Sequence, residues 1–194
     1  MRHPSLFRIA ALALTLAGTA GAAQAEDPQA LAAKGAELLK AGQPAEAYKA
    51  LNSAAIEAWL QSPLAFHRYL LVAAPARSYG DYSPRETNVF DGKSPLLFYA
   101  EPTGFGWVKD GDLYRIDLSI DFALKTAGGE SLGEEKDFQT FKVEGHDRVR
   151  EMFFNLTLTL GGVPDGQYVA TFTVHDQATG KSGSFDLPFE IKHG

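Results

Sequence analysis

The chain has 194 residues, no cysteine, 18 basic against 24 acidic residues, a formal net charge of −6 and 45% hydrophobic composition. That length supports one domain, or a domain with a small appendage. The absence of cysteine excludes disulfide staples, cysteine zinc sites and thiol nucleophiles, and the excess of acid makes nucleic acid and anionic membrane surfaces poor partners.

The first 25 residues read as a secretory leader. Arg2 and Arg8 give a positive start, Ile9 to Ala20 is an apolar run too short to span a bilayer comfortably, and Ala23-Gln24-Ala25 is a small-x-small cleavage site followed by Glu26 and Asp27. The expected destination is the periplasm of a Gram-negative bacterium. No cysteine follows the run, so lipid attachment through one is excluded. Removing the two leader arginines leaves 16 basic against 24 acidic residues, a net charge of −8. No membrane span is expected after cleavage.

Residues 26–76 read as a helical segment of two or three helices. Asp27 can cap the first, with Pro28 at its first position. Ala41-Gly42-Gln43 breaks it near Lys40, Pro44 opens the second, and Ser62-Pro63 ends that one. Leu64 to Val72, LAFHRYLLV, is expected to form a third helix. Gly35, Ala47, Ala54 and the turn Gly42-Gln43-Pro44 resemble one tetratricopeptide-type helical hairpin over about 26 residues. Such hairpins need neighbours to bury their faces, so the resemblance implies docking on the following domain, on a second copy, or on a partner.

Arg77 to Lys93 is rich in turn residues, and residues 77–194 are expected to form the second domain. Ser94 to Glu101 carries apolar side chains on both faces, as a central strand does or one covered by the helices. In Leu113 to Leu124, Tyr114, Ile116, Leu118, Ile120, Phe122 and Leu124 alternate with Arg115, Asp117, Ser119 and Asp121. Thr126 to Lys136 reads as a Gly- and Glu-rich loop. A shorter strand spans Phe138 to Val143, and Glu151 to Leu160 alternates again. Tyr168 to Val174 and Phe185 to Ile191 form a hairpin across Gln177–Gly183, each strand with one wet and one dry side. A seventh strand is expected near Val89 or in Tyr79–Arg85. Six or seven short strands with no helix between them predict an antiparallel sandwich, with a closed barrel as competitor.

Pro164, Gly166 and Tyr168, in VPDGQYVATFTV, resemble the opening of the penultimate strand in fibronectin type III and related immunoglobulin-like domains. The resemblance implies that the Tyr168 hydroxyl ties back to the backbone at a structural corner. It says nothing about a ligand, and the cysteine pair of antibody domains is absent. The whole chain resembles exported bacterial proteins that join a short helical segment to such a sandwich, and that resemblance implies no activity. The fold expected is therefore mainly β, an immunoglobulin-like sandwich of about seven strands behind a small helical segment.

Chemistry is sparse. His67, His146, His175 and His193 have no paired zinc spacing, and no Gly-x-Ser-x-Gly elbow or phosphate-binding glycine loop occurs. His175-Asp176 lies at a strand end without an adjacent nucleophile. Asp117 and Asp121 share a strand face but sit ~13 Å apart, too far for a dyad acting on one bond. Asp110-Gly111-Asp112 offers calcium a partial ligand set or, more plainly, a solvated turn. No catalytic residue, metal ligand or cofactor is assigned.

Aromatics in loops stand out instead. Tyr79, Tyr82, Phe105 and Trp107 are not required by alternation, and Arg85 and Glu101 lie near them in sequence. Tyr82, Arg85, Glu101, Phe105 and Trp107 are the candidate binding residues, because loop aromatics and arginines dominate interface energies. The plainer reading makes them plugs between helices and sandwich, with Arg85 and Glu101 as an ion pair. The expected function is a non-enzymatic periplasmic binding or scaffold protein. An alternative is a module binding carbohydrate or cell-wall glycan, with Trp107, Phe105 and Tyr82 as its stacking platform. A hydrolase using acidic residues is the weakest reading.

Overall fold

A computed structural model describes residues 26–194; the leader expected over 1–25 lies outside the described residues. Helix α1 spans Pro28–Lys40. The Asp27 carboxylate caps it by accepting from the Gln29 amide at 2.9 Å. The chain turns at Gly42, whose φ of 72° suits a residue without Cβ, and helix α2 runs over Pro44–Gln61. The seam between them is made of small residues: Gly35, Ala47, Ala50 and Ala54 are its buried positions. A Cβ on Gly35 would stand 2.6 Å from Leu51 Cγ, so only glycine lets the helices approach this closely.

Nine strands follow: β1 (Ala65–Leu71), β2 (Val89–Phe90), β3 (Leu96–Thr103), β4 (Val108–Asp110), β5 (Leu113–Thr126), β6 (Ser131–Gly145), β7 (Phe154–Leu158), β8 (Gly166–Asp176) and β9 (Ser182–Ile191). One sheet has the order β1-β3-β7. The other has the order β2-β9-β8-β5-β4, with β6 also on β5. Tyr114 and Arg115 pair with both β4 and β6, and Leu118 with both β6 and β8. Strands β4 and β8 therefore follow one another along one edge of β5, and β6 takes the opposite edge.

The two sheets face each other, so the protein is mainly β with a small N-terminal helical part. One pair departs from the antiparallel expectation: β2 runs parallel to β9. The Tyr168 hydroxyl donates to the Pro164 carbonyl at 2.8 Å, directly over Gly166.

Alternation fills the core. Ile116, Leu118, Ile120, Phe122 and Leu124 of β5 are buried with Ala170, Phe172 and Val174 of β8, Phe185, Leu187, Phe189 and Ile191 of β9, and Phe98, Phe154 and Leu156 from the facing sheet. Aromatic pairs bridge the layers, with ring centroids 5.0 Å apart for Phe98–Phe172 and 4.4 Å for Phe141–Phe154.

Two elements differ from expectation. Residues 65–71 are strand β1, not a third helix. Their mixed apolar spacing fits either state, and antiparallel pairing with β3, from Ala65↔Thr103 to Leu71↔Phe98, decides it. Residues 131–136 belong to β6, not to a loop. That half of β6 is exposed and carries no apolar alternation. Backbone pairing to β5 holds it, together with an ion pair from Lys136 to Asp121.

Strand β3 is central, as its two apolar faces imply, but the helices do not cover its outer face. Residues 72–85 do, through a second cluster of Val72, Ala76 and Tyr99 with Leu70, Tyr82, Leu97 and Phe153. The Asn155 side chain clamps this segment, accepting from the Ala76 amide and donating to its carbonyl, both at 2.9 Å.

Candidate functional site

The five residues singled out by sequence do not form one surface. Phe105 is fully buried and meets Trp59 of α2 edge to face, with centroids 5.1 Å apart. Trp107 is half-buried, stacks on Trp59 at 6.1 Å and donates its indole N–H to the Val149 carbonyl. Tyr82 lies on the outer face of β3, against Tyr99 at 4.6 Å. Glu101 is buried there and accepts from the Tyr99 hydroxyl at 2.7 Å, and that hydroxyl in turn accepts from the Gly80 amide. Burial first, then the Glu101 carboxylate, pushes the Tyr99 phenol up; the same two causes raise Tyr79.

Arg85 lies elsewhere again. Its Nη2 donates to the Val89 carbonyl at 3.1 Å, and its guanidinium sits 4.2 Å from the Phe90 ring centre. The expected Arg85–Glu101 ion pair does not form: Glu101 takes the Tyr99 hydroxyl, and Arg85 is held by the Val89 carbonyl and the Phe90 ring, with its Nε buried and, among the described residues, without a partner. The expected stacking platform fails for a related reason. Phe105 has no free face, and Tyr82 and Trp107 serve different clusters.

Helix α2 is pinned to the sandwich through its last turn. Trp59 donates its indole N–H to the Phe105 carbonyl at 2.7 Å. The Lys181 ammonium, from the β8–β9 turn, donates to the carbonyls of Leu60, Ser62 and Gly104 at 2.7, 2.7 and 2.9 Å. A cation at a helix C-terminus also suits the helix dipole. Gly104 is required here, since a Cβ would lie 2.1 Å from the Pro63 carbonyl oxygen. Asp176 fixes the loop bearing Phe105 from below. Its buried carboxylate accepts from the Gly106 and Ala178 amides and from the Thr179 hydroxyl.

Because α2 docks at one end, a groove of about 510 Å³ opens between its middle and the sandwich. Tyr48, Asn52 and Ile56 line one wall at four-residue spacing, one face of a helix. Tyr114, Asp147, Arg148 and Arg150 line the other. The Arg148 guanidinium lies 5.1 Å from the Tyr114 ring centre and 6.0 Å from that of Trp107. Arg150 donates from Nη2 to the Asn52 side-chain oxygen at 3.0 Å. Tyr48 is 70% exposed. The groove thus joins an open aromatic ring, two guanidinium forks, a carboxylate and an amide in a volume typical of small-ligand sites.

The four-residue spacing on α2 was visible; its juxtaposition with a segment about a hundred residues away was not.

A polar chain crosses the outer face of the larger sheet. His175 Nδ1 lies 2.9 Å from Ser182 Oγ, and His175 Nε2 lies 3.0 Å from Asp121 Oδ2. The nucleophile type missing beside His175 in sequence is thus supplied by pairing with β9, where Ser182 stands opposite it. Lys136 donates to the same Asp121 oxygen at 2.7 Å and, as the largest cause, draws the Asp121 carboxyl down to about 2. Thr173–Ser184 and Thr171–Asp186 continue the pattern along the hairpin, as cross-strand pairs on a solvated β face do. At the β4–β5 turn, Asp110 closes on Arg115 at 2.6 Å, which engages the carboxylate that calcium would need.

No helix among the described residues is long and apolar enough to cross a membrane. No protein-family model matches the chain, and no curated protein matches it in sequence. Among solved structures, the C-terminal domain of wzt aligns with 69% of this chain and 76% of its own at 13% identity, with a TM-score of 0.37. The alkylpurine DNA glycosylase AlkC of Pseudomonas fluorescens, bound to DNA containing an abasic site analog, aligns with 79% of this chain and 39% of its own at 12% identity, with a TM-score of 0.34. Both likenesses are too distant to assign a role.

Proposed function

We propose that the protein is a non-enzymatic binding module, exported to the periplasm by its leader, that holds a glycan in the groove between α2 and β5. The observation that carries this reading is the groove itself. It presents the open ring of Tyr48 and the Asn52 side chain on α2, facing Asp147, Arg148 and Arg150 on the sandwich side. An aromatic face for sugar C–H surfaces and fixed polar groups for hydroxyls are what a glycan site needs. The leader pattern with Arg2, Arg8 and Ala23-Gln24-Ala25 supports export. The strand order and the Tyr168 corner support kinship with immunoglobulin-like domains, and the small-residue seam supports a tetratricopeptide-like hairpin.

Co-sedimentation of the chain, purified from periplasm, with isolated peptidoglycan sacculi tests this reading. Retention by the wild type and its loss in Tyr48→Ala support it. Retention that Tyr48→Ala and Arg148→Gln both leave intact removes the groove as the site.

A second reading rests on a separate observation. Leu39 and Leu51 of the hairpin are 53% and 38% exposed, an apolar edge open to a periplasmic partner protein. A pull-down from periplasmic extract that recovers the same partner with wild type and with Leu39→Asp counts against it.

A further inference from the structure

We propose that the glycan taken by this groove is an anionic one, whose sugar carboxylate is received by Arg148 and Arg150. This rests on the glycan reading above and adds the charge class of the ligand.

Acids outnumber bases in this chain, and three cations of the larger sheet pair with them. Arg115 meets Asp110 and Glu144, Lys136 meets Asp121, and Lys142 meets Asp117. Lys109 and Lys125 of that sheet do not pair in this way, and nor do the two groove arginines. Among the described residues, neither arginine has a carboxylate oxygen within 4.0 Å. Asp147 lines the same groove and still pairs with neither.

Neutral groups hold both guanidiniums instead. Arg148 rests over the Tyr114 and Trp107 rings, and Arg150 spends one N–H on Asn52. Each guanidinium has five donors in a planar fork, so most remain unused. Two cations positioned by rings and an amide, with their charge left unmatched, form a receptor for a carboxylate. Arg150 is half-buried, so its unmatched charge is poorly relieved by water. The remaining groups fit the rest of such a sugar. Tyr48 offers a ring face, and Asp147 accepts from hydroxyls.

Calorimetric titration of the chain purified from periplasm tests this, with an oligogalacturonate and a neutral galactose oligomer of equal length as probes. The acidic probe is expected to bind at least tenfold more tightly, and its affinity to fall as sodium chloride rises. Arg148→Gln is expected to lower acidic binding about tenfold, several times more than it lowers neutral binding. Arg148 is exposed, so this variant is expected to keep the wild-type unfolding midpoint, which is measured alongside. Equal affinity for the two probes overturns the anionic inference and leaves the glycan reading standing. No binding of either probe also overturns the inference, and sacculus co-sedimentation then judges the glycan reading separately. Acidic binding that Arg148→Gln and Arg150→Gln both leave unchanged overturns the assignment of these arginines.

Discussion

The Trp59 indole N–H donates to the Phe105 carbonyl at 2.7 Å, and this bond spans 46 residues and joins the helical hairpin to the sandwich. The two rings meet edge to face, Trp107 stacks behind, and Phe105 is fully enclosed. The contact comes from both ends of the chain's logic. Helical spacing puts Trp59 in the last turn of α2, and Pro102 with Gly104 turns β3 into the loop that offers Phe105.

Removing the Trp59 ring should undock the hairpin before it unfolds the sandwich. Trp59→Ala is expected to cost about 2–4 kcal/mol, below the cost of a fully enclosed ring because Trp59 is half-buried. Trp59→Phe keeps the stacking, loses the hydrogen bond and is expected to cost about 1 kcal/mol. Hydrogen exchange separates local from global effects. Amides of Ala47–Leu60 should exchange faster in Trp59→Ala, while those of β8 and β9 stay near wild type. Helix protection unchanged by the alanine would show that the hairpin is held elsewhere.

What sequence revealed and what it hid divide along the same line. Alternation in β5, β8 and β9 is a local property, so the apolar faces ending in Phe172, Phe185 and Phe189 were legible, and so was the Tyr168 corner. Strand β1 was misread because LAFHRYLLV satisfies helical and extended spacing equally, and only the free edge of β3 selects between them. The first half of β6 was missed because an edge strand held by backbone and charge carries no apolar signature. The groove was hidden for a third reason. Tyr48 and Asn52 meet Tyr114, Arg148 and Arg150 only after α2 docks, and nothing local to either segment records that docking. Loop aromatics were the visible signal: Phe105 and Trp107 turned out to pin α2 beside the groove, whereas Tyr82 packs on the outer face of β3.

Lys181 makes the second half of that docking. Its ammonium bridges three carbonyls, two on the exit of α2 and one at Gly104. Lys181→Met keeps the stem and removes the charge. The freed carbonyls lie where water reaches in part, so the expected loss is about 1–3 kcal/mol. The loss should be non-additive with Trp59→Phe, since both act on one docked turn. Denaturant midpoints of the two single variants and the double variant measure this coupling. Strict additivity would mean that the lysine and the tryptophan hold α2 independently.

Asp121 sets the acid limit of the larger sheet. Lys136 donates to it, the Asp137 amide donates to its other oxygen, and His175 lies 3.0 Å away. These partners hold its folded pKa at about 2, below the ~3.9 of an unfolded aspartate. A carboxyl with a depressed folded pKa favours folding in its charged form. Its contribution is therefore complete above pH ~4 and is lost as pH falls towards about 2. Lys136 is 77% exposed, so solvent screens the pair, and about 1–2 kcal/mol is the expected size. Asp121→Asn removes the titrating group. Its unfolding free energy should be lower than wild type at pH 6, and the two curves should converge as pH falls from 4 to 2. Parallel curves across that window would show that Asp121 is not the carboxylate that titrates there.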